Sequence, residues 1–309
     1  MSKILLLLII SLCIIVFLLA RLYFIKKEIK NISIQLEEYN NFNSRKKIDI
    51  SLFDKEVENL ALNINKHIDL HIKNIIEKQK SEEKLKKDIA NISHDLRTPL
   101  TSIMGYIQIA KVGKIEKEKQ KEYLHIAYNR SKYLNLLLND FFELSVIESP
   151  DYYMELKKLN LNNILCNVMT EFYNEFTQKG IVPKIKLPKE SIFILGDELA
   201  VKRVLSNLIT NITRYGKEKV FVNLEKNNDD AILYTANSAP NLKGVFENGD
   251  ANIIFDRFYR GNKYRESKFK STGLGLSIAK GIMNKMNGEM FAKYKDNFLY
   301  IYCNWKVYR

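Results

Sequence analysis

Cysteine is scarce in this chain of 309 residues and never clustered. Cys13, Cys166 and Cys303 lie far apart with no Cys-x-x-Cys spacing, which excludes a disulfide framework and a cysteine zinc site and fits a reducing compartment. Acidic residues are also in deficit: 36 Asp and Glu stand against 49 Lys and Arg, a net charge of +13. That balance suits an anionic membrane surface, nucleic acid or phosphate-bearing ligands. The lysines are scattered, however, so most of them read as a solvated surface, and no direct nucleic-acid binding is expected. Internal repeats are absent, and the asparagine-rich "EEYNNFNSRKK" is the nearest thing to a low-complexity tract. Only one long apolar run occurs, so a second membrane span, and with it a sizeable outer domain for sensing, is not expected.

That one run decides the location. No residue from Ile4 to Ala20 is charged, and the apolar character continues past Arg21 to Ile25. As a helix it reaches about 33 Å, enough to span a bilayer, with Arg21 free to snorkel. Lys26, Lys27 and Lys30 outnumber Lys3 on the other side, which places the rest of the chain in the cytoplasm. No small-residue cleavage site follows, so residues 1–25 read as a single-pass anchor in the cell membrane rather than a signal peptide.

Residues 26–80 read as a cytoplasmic helical linker, a coiled-coil-like stalk. Ile29, Ile32, Leu36 and Tyr39 recur at helical spacing, and the pattern resumes at Val57, Leu60, Ile64, Ile68, Ile72 and Ile75. Such a stripe could pair with a second copy of the chain. His67 and His71 share a helix face there, but Ile68 stands where a zinc-protease motif needs glutamate, and no third ligand is evident. They and His125 read as ordinary helix residues. Residues 81–150 form a helical hairpin: Leu85, Ile89, Ile92 and Leu96 stripe the first helix, a turn falls over 112–117, and Leu134, Leu137, Phe141 and Leu144 stripe the second. A lone hairpin buries too little, so dimerisation into a four-helix bundle is expected. Ser149 and Pro150 end it. From 158 to 309 helices and short strands alternate, an α+β domain. Its expected helices are "LNNILCNVMTEFYNEFTQ", closed by Gly180, "DELAVKRVLSNLITNITRY", capped by Asp197, and "LGLSIAKGIMNKM"; "SIFIL", "KVFVNLEK" and "AILYTAN" read as strands.

Three stretches carry chemistry. In "ISHDLRTPLTSIMGY", a neutral His94 has one ring nitrogen free to attack an electrophile if the other keeps its proton, and Asp95 is the adjacent acceptor for that proton. Pro99 lacks an amide hydrogen and crowds the carbonyl of Asp95, so the helix should bend there and turn the histidine outward. In "SNLITNITRYG", Asn207 and Asn211 lie four apart on one face, followed by Arg214 and Tyr215. An amide oxygen can ligate Mg²⁺ beside phosphates without overcharging the site, and Arg214 supplies a cation. In "STGLGLSIAK", Gly273 and Gly275 flank Leu274 where a helix starts, so backbone amides can approach an anion closely. Each pattern alone is common in proteins without such chemistry; their weight comes from occurring together and in this order.

Together they resemble the sensor histidine kinases of bacterial two-component systems, over residues 81–309. The resemblance implies a dimerisation and histidine-phosphotransfer hairpin (81–150) followed by a Bergerat-type (GHKL) ATP-binding α+β sandwich (158–309). It implies an ATP-dependent kinase using Mg²⁺, with His94 as phosphoacceptor, Asp95 as its base and Thr98 orienting water when the partner is dephosphorylated. Asn211 matches the magnesium ligand, and Asn207, Arg214, Tyr215, Thr272, Gly273, Leu274 and Gly275 match the nucleotide site. "IFDRFYRG" matches the F box, with Phe255 and Phe258 packing and Arg257 and Arg260 near the phosphates. Residues 54–68 faintly resemble the second helix of signal-relay linkers. The implied partners are a second copy of the chain and a response regulator that accepts the phosphoryl group on aspartate. With so little sequence expected outside, the input comes from within the bilayer, from a membrane partner such as a transporter, or from the cytoplasm.

One departure stands out. Where most members hold adenine with Asp-x-Gly-x-Gly, this chain has "NSAPN", with Asn237, Ala239 and Asn241. An uncharged acceptor at Asn237 weakens that hydrogen bond by about 1 kcal/mol. Ser271 also replaces the first glycine of the Gly-x-Gly-Leu-Gly-Leu stretch. Two rival classes follow: a dimeric scaffold that binds a regulator without ATP chemistry, and an ATPase of the gyrase or chaperone type, which the His94 stretch and the membrane span disfavour.

Overall fold

The computed structural model describes residues 2–40, 46–51, 54–111, 115–149, 151–216, 219–246, 249–260 and 271–308. The chain divides into two compact units, residues 1–87 and 88–309.

In the first unit helix α1 (Ser2–Asn40) runs unbroken from the apolar segment into the stalk. It is long and apolar enough to cross a membrane, and its large apolar side chains from Ile4 to Phe24 are exposed. Residues 46–51 then return alongside α1. Gln35 and Asp49 exchange two hydrogen bonds of 2.9 Å, and Glu28 accepts from the amide of Ser51 at 2.9 Å. Arg21 pairs with Asp54 at 3.0 Å, and that hydrogen bond holds the Asp54 carboxyl below its ordinary pKa. Helix α2 (Lys55–Lys111) follows, and Asn65 clasps the backbone of Ile48 through both amide atoms. Ile32, Ile48, Val57, Ala61 and Ile68 are buried between these segments. Part of the stripe expected to face a second copy is therefore covered within one chain, while Ile29, Leu60, Ile72 and Ile75 remain exposed.

The second unit starts within α2, whose helix continues through Pro99. The proline removes one amide without ending the helix. The hydroxyl of Thr98 reinforces that turn by donating to the carbonyl of His94 at 3.1 Å. Helix α3 (Lys117–Glu148) completes the hairpin; residues 112–114 of the expected turn, and Pro150, lie outside the described residues. The buried side of α3 holds part of the stripe read from the sequence and extends beyond it. Tyr133, Leu137, Asp140, Leu144 and Ile147 are buried, whereas Leu134 and Phe141 are only half-buried. The reason is a second packing partner: Leu137, Leu144 and Ile147 join the core of the α/β part.

That part is a two-layer sandwich. Strands β1 (Lys157–Asn160) and β3 (Phe193–Gly196) form an antiparallel pair, neither needing more than four residues. The main sheet has the order β2-β4-β5-β7-β6, from β2 (Lys184–Lys186), β4 (Val220–Asn227), β5 (Asp230–Ser238), β6 (Glu289–Lys295) and β7 (Phe298–Lys306). Among the described residues, the β2–β4 pair is the one parallel pairing. Alternation along β5 and β7 turns Ala231, Leu233, Leu299, Ile301, Cys303 and Trp305 inward, where helices α4 (Leu161–Glu171), α6 (Glu198–Tyr215) and α7 (Gly275–Lys285) cover them. The expected helix over 161–178 is two: α4 stops at Phe172, and α5 (Tyr173–Gln178) resumes so that Phe176 is buried beside Phe172 in the same core. Asp197 caps α6, accepting from the amide of Ala200 at 3.0 Å, and Gly180 adopts φ +64° after α5.

Candidate functional site

Helix α6 organises the site because it is strongly two-sided. Val201, Val204, Leu205, Leu208, Ile209 and Ile212 are buried in the core, which leaves Arg203, Asn207, Asn211 and Arg214 on the opposite face at helical spacing. They line a cavity of about 260 Å³ closed by β5, by residues 239–246 and 254–260, and by the glycine turn before α7. Asn237 stands in its wall only 2 % exposed, its amide nitrogen donating to the carbonyl of Ser238 at 3.3 Å. The Nδ2 of Asn207 is buried with no hydrogen-bond partner among the described residues. A buried donor left unmade is costly, so it marks a place where a polar ligand would be received.

The glycine turn is built by close approach. Gly273 has φ +75°, and a Cβ there would lie 2.9 Å from Cα and 3.0 Å from the carbonyl carbon of Phe258. The carbonyl of Gly273 accepts from the amide of Phe258 at 3.0 Å, and Phe258 itself is left-handed at φ 62°. A non-glycine residue there is strained, and the pairing with Gly273 holds it. At Gly275 a Cβ would meet Oδ1 of Asn207 at 3.2 Å, so the first turn of α7 is pressed against α6. The glycines thus serve packing as well as access to an anion. Leu274 is fully buried beneath the turn, and Phe255 packs in the core. The orphaned Asn207 amide donor and the backbone of the close-packed glycine turn both suit an anionic phosphate group.

The hairpin meets this cavity through carboxylates. Asp140 of α3, 8 % exposed, accepts from the hydroxyl of Thr272 at 2.7 Å and from Arg203 at 3.2 Å. Glu143 accepts from Nε of Arg203 at 2.8 Å. Burial opposes the Arg203 charge, but Glu143 and Asp140 outweigh it and hold its pKa above the ordinary value. Arg260 donates to Asp95 at 2.7 Å, to the Tyr133 hydroxyl at 3.0 Å and to the carbonyl of Thr272 at 3.2 Å. Burial pushes the Tyr133 phenol up, and its neutral hydroxyl donates a hydrogen bond to the carbonyl of Ser271 at 3.4 Å. Tyr215 and Ser271 share a 3.1 Å hydrogen bond.

His94 lies on α2 outside the cavity with its side chain 73 % exposed. Its Nδ1 is 3.3 Å from Oδ1 of Asp95, the same carboxylate whose Oδ2 holds Arg260. Of the residues predicted from sequence, Asn207, Asn211, Arg214, Tyr215, Asn237, Arg260, Thr272, Gly273 and Gly275 line one cavity. Arg257 does not: it pairs with Asp88 at 2.9 Å and with Glu148, because the hairpin offers it two carboxylates. Asp140, Arg203 and Tyr133 were not foreseen. Arg203 could have been, since it sits four residues before Asn207 on the same helix face, and Asp140 is the lone acid within the apolar stretch "LNLLLNDFF".

Comparison with known proteins agrees with this geometry. Residues 85–150 match the His Kinase A (phospho-acceptor) domain, and residues 196–298 match the Histidine kinase-, DNA gyrase B-, and HSP90-like ATPase. The chain is 29 % identical over 236 residues to the sensor histidine kinase YcbM of Bacillus subtilis (strain 168), covering 76 % of this chain and 75 % of that protein. Its fold is shared with Acinetobacter baumannii histidine kinase AdeS (TM-score 0.54, 22 % identity, 70 % of this chain and 98 % of that one). It is also shared with histidine kinase ThkA, solved in complex with response regulator protein TrrA (TM-score 0.57, 22 % identity, 76 % of this chain and 66 % of that one). An apolar N-terminal helix, a phosphoacceptor-type hairpin and a GHKL-like α/β domain thus occur in one chain, which belongs to the sensor histidine kinases of two-component signal transduction.

Proposed function

We propose that this chain is a membrane-anchored, homodimeric kinase that phosphorylates its own His94 from ATP and passes the group to an aspartate of a response regulator. The observation that carries this reading is the exposed His94 ring, with Nδ1 facing Asp95, in the same compact unit as a cavity lined by amides, arginines and a glycine turn. With its proton on Nδ1 and directed at Asp95, the ring keeps Nε2 as the nucleophile. Nε2 forms the new bond to the γ-phosphorus as the bond to the bridging oxygen breaks and ADP leaves. Asp95 stabilises the positive charge that develops on the ring.

Within the cavity Asn237 would take the adenine amino group through its amide oxygen, because its nitrogen is committed to Ser238. Asn207, Arg214, Tyr215 and the turn over 272–275 would hold the phosphates, and Asn211 would ligate Mg²⁺, which neutralises phosphate charge when bound. Thr98, one helical turn beyond His94, would orient water when the phosphorylated regulator is hydrolysed. Dimerisation is supported by the exposure of Leu100, Met104, Phe142 and Val146 on the hairpin. The complex solved for ThkA supports a regulator partner.

The test uses the full chain in detergent micelles with Mg²⁺ and γ-labelled ATP. Acid-labile, base-stable phosphate is expected on the protein and none on His94→Gln. Equal labelling of that variant would overturn the assignment.

A further inference from the structure

Two side chains that line the cavity, Thr272 and Arg260, are groups suited to grip a polyphosphate, and both are engaged by the hairpin. Thr272 donates to Asp140 at 2.7 Å and Arg260 to Asp95 at 2.7 Å. Arg203, on the same cavity wall, is held by Asp140 and Glu143. A carboxylate and a phosphate present the same kind of anionic oxygen to such donors. From this we infer that Asp140, Glu143 and Asp95 act as phosphate surrogates, so that a nucleoside triphosphate and the hairpin compete for one set of donors.

The inference rests on the nucleotide reading above and adds a regulatory consequence. While Arg260 neutralises Oδ2 of Asp95, that carboxylate is a poorer acceptor for the Nδ1 proton of His94. A triphosphate arriving in the cavity draws Arg260, Thr272 and Arg203 away from the hairpin. Asp95 then faces His94 alone. Nucleotide arrival and activation of the nucleophile become one event, and the empty enzyme holds its histidine in the less reactive state. A base or nucleoside without phosphates lacks the charge to compete.

The experiment compares binding of Mg-ATP and of adenosine to the full chain in micelles, for the unaltered protein, Asp140→Asn and Glu143→Gln. Each variant keeps the shape of the side chain and removes the competing charge. Mg-ATP is expected to bind each variant about tenfold more tightly, as removal of one charge-assisted contact implies, with adenosine unchanged. Adenosine binding also reports that the cavity has folded, and Glu143→Gln serves if Asp140→Asn does not fold. Equal or weaker ATP affinity in the variants, with adenosine still bound, would overturn the competition and leave the nucleotide reading standing. Failure of the unaltered protein to bind either compound would remove that reading, and this inference with it.

Discussion

Replacing Asn237 by Asp puts a charge at this position, and the surroundings set what it does. Asn237 is 2 % exposed and donates to the Ser238 carbonyl at 3.3 Å. Aspartate loses that donor and brings a carboxylate up against a carbonyl oxygen in a buried wall. The unliganded protein is expected to lose about 2 kcal/mol, since a buried acceptor is left without its partner. For a unit of this size that lowers the melting midpoint by about 4–8 °C. With nucleotide bound, the new carboxylate accepts from the adenine amino group as an ion, a hydrogen bond stronger than the amide's by about 1 kcal/mol, or about fivefold in affinity. Because the contact is to the base, ATP and adenosine should gain alike, in contrast to the Asp140→Asn result expected above. Thermal melting with and without each ligand, and titration with a fluorescent nucleotide at pH 8, measure both effects. A lower melting midpoint with no gain in affinity would mean that Asn237 merely fills the wall, and the adenine assignment would fall.

Gly273→Ala should abolish nucleotide binding and cost about 3 kcal/mol, from its left-handed φ and a Cβ 2.9 Å from Phe258, as read by chemical denaturation; an unaltered midpoint would contradict the close approach. Gly275→Ala should be milder, weakening ATP through Asn207 with a stability loss below about 1.5 kcal/mol on the same assay. A maleimide should label exposed Cys166 in the native protein and spare Cys303 even at pH 9. Burial pushes the Cys303 thiol far up, so it stays protonated and out of reach until the chain unfolds; peptide mapping of labelled native protein checks this.

The sequence was most readable where a pattern has a single physical cause. The period of α6 set both its core face and its polar face, so Asn207, Asn211 and Arg214 could be placed together before any coordinates. The alternation in β5 did the same for the sheet. Short strands were not legible: β1 and β2 have four and three residues, too few for a period, and they exist because a neighbour offers a free edge. The stripe on α3 was legible in part, since Leu137 and Leu144 are buried and Leu134 and Phe141 half-buried, but a stripe shows which residues are apolar and not which of two partners they meet. Ile147, outside that stripe, is buried against the α/β part of the same chain. Arg257 was misplaced for a related reason, since its carboxylate partners Asp88 and Glu148 are distant in sequence.

The decisive test concerns one nitrogen. Phosphorylating the full chain with ATP after labelling its histidines with ¹⁵N, then recording the ring resonances at basic pH, identifies which atom of which residue carries phosphorus. The expected result is phosphate on Nε2 of His94 alone, with Nδ1 still protonated toward Asp95; phosphate on Nδ1, or on any other residue, would contradict the role given to that pair.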